Sequence, residues 1–145
     1  MDTLIRGGTV VTAAGQRRAD LRLVGERIAE IGAGLAANGG ERVVDAGGLL
    51  LLPGGVDGHT HLDMPIAPDC ATSDDFYTGH RAAAFGGTTT HVDFANQQRG
   101  QSLRETLTAW QRRAAGKAVI DYGFHLTIVD PTEAVEGGVA QGEHR

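Results

Sequence analysis

The sequence predicts an α/β fold preceded by a β module, on three observations. Up to about Leu52 it is made of short leucine-rich and β-branched runs punctuated by glycines. After Pro53, strand-like and helix-like segments alternate, with strands starting near residues 55, 88 and 118, about 30 residues apart, the length of a βαβ unit. At the end of the first of these strands stand His59 and His61, where parallel α/β folds gather their chemistry.

The segments follow in order. Leu4-Ile5, Thr9 to Thr12, Leu21 to Val24, Arg27 to Ile31, Val43-Val44 and Leu49 to Leu52 read as strands. Gly7-Gly8, Ala14-Gly15, Gly25-Glu26, Asn38 to Gly40 and Gly47-Gly48 read as turns between them. Leu23 to Ile31 has alternation in both arms around Gly25-Glu26, the pattern of a hairpin. Residues 1–52 are thus one β portion and 53–145 the α/β portion.

In the second portion Gly55 to Leu62 reads as a strand. Asp74 to Phe85 reads as a helix, with Thr72-x-x-Asp75 as its capping box and Gly86-Gly87 as its stop. Thr88 to Phe94 is β-branched and strand-like. Gln101 to Ala115 is a second helix, begun by Ser102-x-x-Glu105, with Leu103, Leu107, Trp110 and Ala114 on one face. Ala118 to Val129 is a third strand region, and Asp130-Pro131-Thr132 suits a helix start.

Composition narrows the function classes. A 41% hydrophobic, 21% charged chain of 145 residues is globular rather than disordered. Its net charge of −5 comes without a basic block, so no nucleic-acid partner is expected. Met1 to Arg6 lacks a signal peptide's basic-then-apolar order, and no apolar run approaches the roughly 20 residues of a membrane helix. No membrane partner is expected, and the cytoplasm is the expected compartment. Cys70 is the one cysteine, so no internal disulfide can form.

His59 and His61 are one residue apart on a strand, so they point the same way and can share a metal ion. A zinc site normally needs three or four protein ligands, so the pair alone leaves a hydrogen-bonded surface pair open. Asp57 is placed to orient the segment rather than to ligate. His91 shares a face with Asp93 and reads as a core or interface histidine, His80 as a solvated or outward-facing helix residue, and His125 as pocket lining or packing.

Several motifs, in order, carry a resemblance. Gly55-Val56-Asp57-Gly58-His59-Thr60-His61 resembles the first barrel strand of the amidohydrolase superfamily. Ser73 to Phe76, Ala82 to Thr90, Val92-Asp93-Phe94 and Gly116 to His125 are similar to its dihydropyrimidinase and D-hydantoinase branch. The resemblance runs from about residue 2 to about 129 and implies the following. The fold is an N-terminal β-sandwich portion followed by the first three βα units of a TIM-like (β/α)8 metal-dependent hydrolase barrel. The metal ligands are His59 and His61, in a site that holds two zinc ions when complete. The intact enzyme opens cyclic amide or ureide rings, dihydropyrimidines and hydantoins, to N-carbamoyl amino acids, and works as a dimer or tetramer. Leu62, Met64 and Ile66, in a loop marked by Pro65 and Pro68, would contact the ring substituent; ordinary packing of that loop is the alternative.

A full barrel takes about 250 residues, whereas residues 53–145 hold three strands. The remaining ligands and the catalytic acid-base residue fall outside the sequence, so no catalytic residue is expected within this chain. Lys117, the one lysine, precedes the third strand, at the end opposite His59, and cannot be the family's bridging lysine. The chain is expected to be a truncated, inactive fragment. A non-catalytic dihydropyrimidinase-like assembly protein and another cyclic amidohydrolase, a dihydroorotase or allantoinase, are the alternatives.

Overall fold

The computed structural model describes residues 2–131, which fall into two units, one up to Pro53 and one from Gly54. The first is a five-stranded sheet. Its strands are β1 (Thr3–Thr12), β2 (Gly15–Val24), β3 (Arg27–Gly32), β4 (Arg42–Asp45) and β5 (Leu50–Leu51). The order is β3-β2-β1-β4, with β5 also paired to β1. The hairpin at Gly25-Glu26 is present, Val24 pairing with Arg27.

Gly7-Gly8 is not the expected turn. β1 runs through both glycines as one strand, with a register shift between Ile5 and Gly8. The reason is local: Gly7 takes φ +72°, a conformation that costs glycine little. Its freed amide donates to Asp20 Oδ1 at 2.8 Å, while Leu35 N donates to Oδ2 at 2.8 Å. These donors, Gly7 first, hold the Asp20 carboxyl below the usual range.

The second unit has a three-stranded parallel sheet in the order β10-β9-β6, built from β6 (Gly55–Thr60), β9 (Thr88–Asn96) and β10 (Asp121–Thr127). The β6–β9 ladder slips twice. Thr89 is passed over between Gly55 and Val56, and Gly58 and His59 together stand opposite Val92.

Two helices connect the strands: α1 (Phe76–Phe85) and α2 (Leu103–Ala114). Phe76, Ala95, Trp110 and Ala114 form the buried cluster between helices and sheet. On α2 the expected face is present, with Leu103, Trp110 and Ala114 buried, Leu107 half-buried and Thr106 added to it. Ser102 and Glu105 form the expected capping box.

The start of α1 differs from the expectation. Its N-cap is Asp75, which accepts from Tyr77 N and Thr78 N, with Thr78 closing the box. Thr72 is unavailable as a cap because its hydroxyl accepts from Met64 N at 2.9 Å. The segment after His61, expected to be a loop, carries a small antiparallel pair, β7 (Pro65–Ala67) and β8 (Cys70–Ala71). The helix expected from Asp130-Pro131-Thr132 lies outside the described residues. No helix among the described residues is long and apolar enough to cross a membrane.

Candidate metal-ligand pair

β6 delivers His59 as its penultimate residue and His61 just beyond its end. Their Nε2 atoms are 3.2 Å apart, and the rings meet edge to face with centroids at 5.0 Å. Both rings are exposed and rest on Phe94 of β9, with centroids at 4.5 Å for His59 and 5.2 Å for His61. Asp57 Oδ1 accepts from the His59 amide at 3.1 Å, so it orients the backbone.

Two nitrogens at this separation either share one proton in a hydrogen bond or present two lone pairs to a cation. Zinc bonds imidazole nitrogen at about 2.0–2.1 Å, which sets neighbouring ligand atoms of a tetrahedron about 3.3 Å apart. The observed 3.2 Å fits such an edge. In that state both Nε2 atoms are unprotonated and each ring carries its proton on Nδ1. Among the described residues, no group of three or more His, Cys, Asp or Glu side chains is arranged to hold an ion.

The other expected residues separate. Leu62 and Met64 pack against the Phe76–Trp110 cluster, while Ile66 on β7 is 63% exposed. His125 lies on the Phe94 side, its ring centroid 4.9 Å from that of Phe94, with Nε2 3.1 Å from the Gly58 carbonyl. Lys117 is engaged by Asp63 at 3.1 Å and Asp75 at 3.3 Å, Asp63 being the main cause of its raised pKa. Asp63 is therefore an ion-pair partner.

His80 corrects the sequence reading most. It is fully buried, not solvated, with Nε2 3.1 Å from Nε2 of buried His91. Val119 N donates to His80 Nδ1 at 3.1 Å, so the proton sits on Nε2 and is donated to His91. Burial first, then the neighbouring His91, lowers the His80 pKa to about 4.

In the sequence Asp93 shares a face with His91 and belongs to the Val92-Asp93-Phe94 motif, with no role of its own. It is fully buried and receives Thr60 Oγ1 at 3.1 Å and Leu62 N at 2.8 Å on Oδ2, and Phe94 N at 2.6 Å on Oδ1. An acidic residue at the buried phase of an alternating strand was the signal that could have singled it out.

No family model matches the chain. A D-hydantoinase of Geobacillus stearothermophilus is 50% identical over 135 residues, covering 93% of this chain and 28% of that protein. A D-hydantoinase crystal structure superposes with a TM-score of 0.91 at 46% identity, over 96% of this chain and 30% of the other. A dihydropyrimidinase from Brevibacillus agri does so at 0.87 and 51%, over 93% and 29%. An atrazine chlorohydrolase from Arthrobacter aurescens, in complex with zinc, shares the fold at a TM-score of 0.60 and 20% identity, over 86% of this chain and 35% of the other. In sequence and fold the chain is similar to D-hydantoinases and a dihydropyrimidinase, and it spans 28% of the length of the first curated relative it matches.

Proposed function

We propose that this chain is the N-terminal part of a metal-dependent cyclic amidohydrolase. In that reading residues 1–52 are the β-sandwich portion, and residues 53–145 are the first three βα units of a TIM-like barrel. His59 and His61 are two ligands of its zinc site. The observation that carries the reading is the 3.2 Å separation of their Nε2 atoms on the exposed side of the sheet, in a chain half identical to D-hydantoinases. The complete enzyme would open hydantoin or dihydropyrimidine rings to N-carbamoyl amino acids, in the cytoplasm and as an oligomer.

Bound zinc would supply a Lewis acid that lowers the pKa of water and polarises the ring carbonyl. This chain's residues hold and orient. His59 and His61 present lone pairs from one short segment, Asp57 fixes the His59 backbone, and Phe94 backs both rings. Of the three apolar residues after the pair, Ile66 is the one left free to meet a ring substituent. No group among the described residues is assigned the acid-base step, and the chain alone is expected to be inactive.

Zinc titration of the 145-residue protein tests the ligand assignment. The wild type should bind zinc measurably and His59→Ala should bind at least about tenfold more weakly. Equal, negligible zinc in both would remove the assignment. Metal-dependent opening of dihydrouracil by the purified chain would overturn its inactivity.

A further inference from the structure

We propose that Asp93 is the positioning residue of the His59–His61 pair, an inference that rests on the metal-ligand reading above. β6 ends at Thr60, so His61 and Leu62 lie past the ladder that would otherwise fix them. One carboxylate oxygen takes over there. Asp93 Oδ2 accepts from Thr60 Oγ1 at 3.1 Å and from Leu62 N at 2.8 Å, the residues immediately before and after His61. His61 is therefore held between two points hung from a single buried atom.

The next residue completes the support. Successive side chains on a strand leave opposite sides, so Asp93 grips the segment from the buried side while Phe94 lies under both imidazoles on the exposed side. The other carboxylate oxygen accepts from Phe94 N at 2.6 Å, which ties the two halves together. Displacing a metal ligand by a fraction of an ångström costs affinity, and the groups that orient ligands typically matter 10–100-fold. Asp93 touches neither the imidazoles' Nε2 atoms nor any reacting group, so it acts through the backbone.

Asn is nearly the same size but must place an NH2 against one of the donors that Asp93 now accepts. Zinc titration, with the ring-nitrogen NMR shifts of His59 and His61 recorded beside it, should compare wild type, Asp93→Asn, Thr60→Val and His59→Ala. Trp110 fluorescence monitors the core in each. We expect Asp93→Asn to lose about tenfold or more in zinc affinity, and Thr60→Val to lose less. Both should shift the His59 and His61 ring nitrogens while leaving Trp110 emission as in wild type.

Affinity within about twofold of wild type with unshifted rings in Asp93→Asn would overturn the proposal. If Asp93→Asn fails to fold, Thr60→Val decides by the same criteria. If wild type binds zinc no better than His59→Ala, the metal reading itself fails. The ring shifts without metal then decide: rings unchanged in Asp93→Asn overturn the role of Asp93, and shifted rings support it.

Discussion

Acidification between pH 7 and pH 5 should unload the buried imidazole pair. His80 and His91 are 0% and 1% exposed, and their Nε2 atoms stand 3.1 Å apart. Burial, with the nearby His91, holds His80 near a pKa of about 4, against 6.5 for a free imidazole. Burial lowers His91 as well, opposed by Asp93 and Asp57. The unfolded chain therefore takes up a proton near pH 6.5 that the folded chain refuses until about pH 4. Stability is complete above 6.5 and is lost as the pH falls toward 4.

For His80 alone the loss is about 3 kcal/mol, of which about 2 kcal/mol is gone by pH 5. The carboxylates of Asp20, Glu41, Asp75 and Glu105 all lie below their ordinary values, so their losses fall mainly below pH 5. The measurement is urea unfolding at pH 7 and pH 5, followed by Trp110 fluorescence, on wild type and His80→Gln. The glutamine can still accept from Val119 and donate to His91. Wild type should lose about 2 kcal/mol and the variant less. A wild-type stability flat to within about 0.5 kcal/mol over this interval would refute the reasoning.

Two further substitutions probe the scaffold around the site. Ser102→Ala removes the hydroxyl that accepts from Glu105 N at 3.2 Å, and should cost about 1 kcal/mol in urea unfolding. A Cβ added at Gly79 would stand 2.5 Å from Leu62 Cδ2, so Gly79→Ala must push Leu62 out of its packing. It should cost about 1–3 kcal/mol and disturb the His61 ring signal, because Leu62 adjoins His61; an unchanged melting temperature and ring signal would contradict that packing.

Much of the architecture was legible because it is written locally. α2 announces itself through Ser102, Glu105 and its apolar spacing, and the hairpin at Gly25-Glu26 through alternation on both sides. What sequence missed depends on partners distant along the chain. Gly7-Gly8 looks like a turn until Asp20 is seen to satisfy the Gly7 amide. Thr72 looks like a cap until Met64 claims its hydroxyl. His80, followed by Arg81, looks solvated, and only its closure on His91 and the Val119 amide makes burial tolerable. Of the site, the pair itself could be read and Asp93 could be singled out as an acid at a buried strand position, but its hold on Thr60 and Leu62 could not be read, since they lie more than thirty residues before it.

The slip in β6 at Gly58 and His59 decides which compartment of the molecule the pair inhabits. Asp57 pairs with His91, and Thr60 pairs with Asp93, two residues of β9 whose side chains are buried. Were the same residues to pair one for one, strict alternation from Asp57 would send His59 and His61 to that buried side, the side of His91, Phe76 and His80. The insertion turns the remainder of the strand over and brings both rings onto Phe94. The same His-x-His letters would thus be core packing in one phase and an exposed pair in the other. Deleting Gly58 would make the ladder regular with Thr60 still opposite Asp93, and would leave both imidazoles on the Phe94 side.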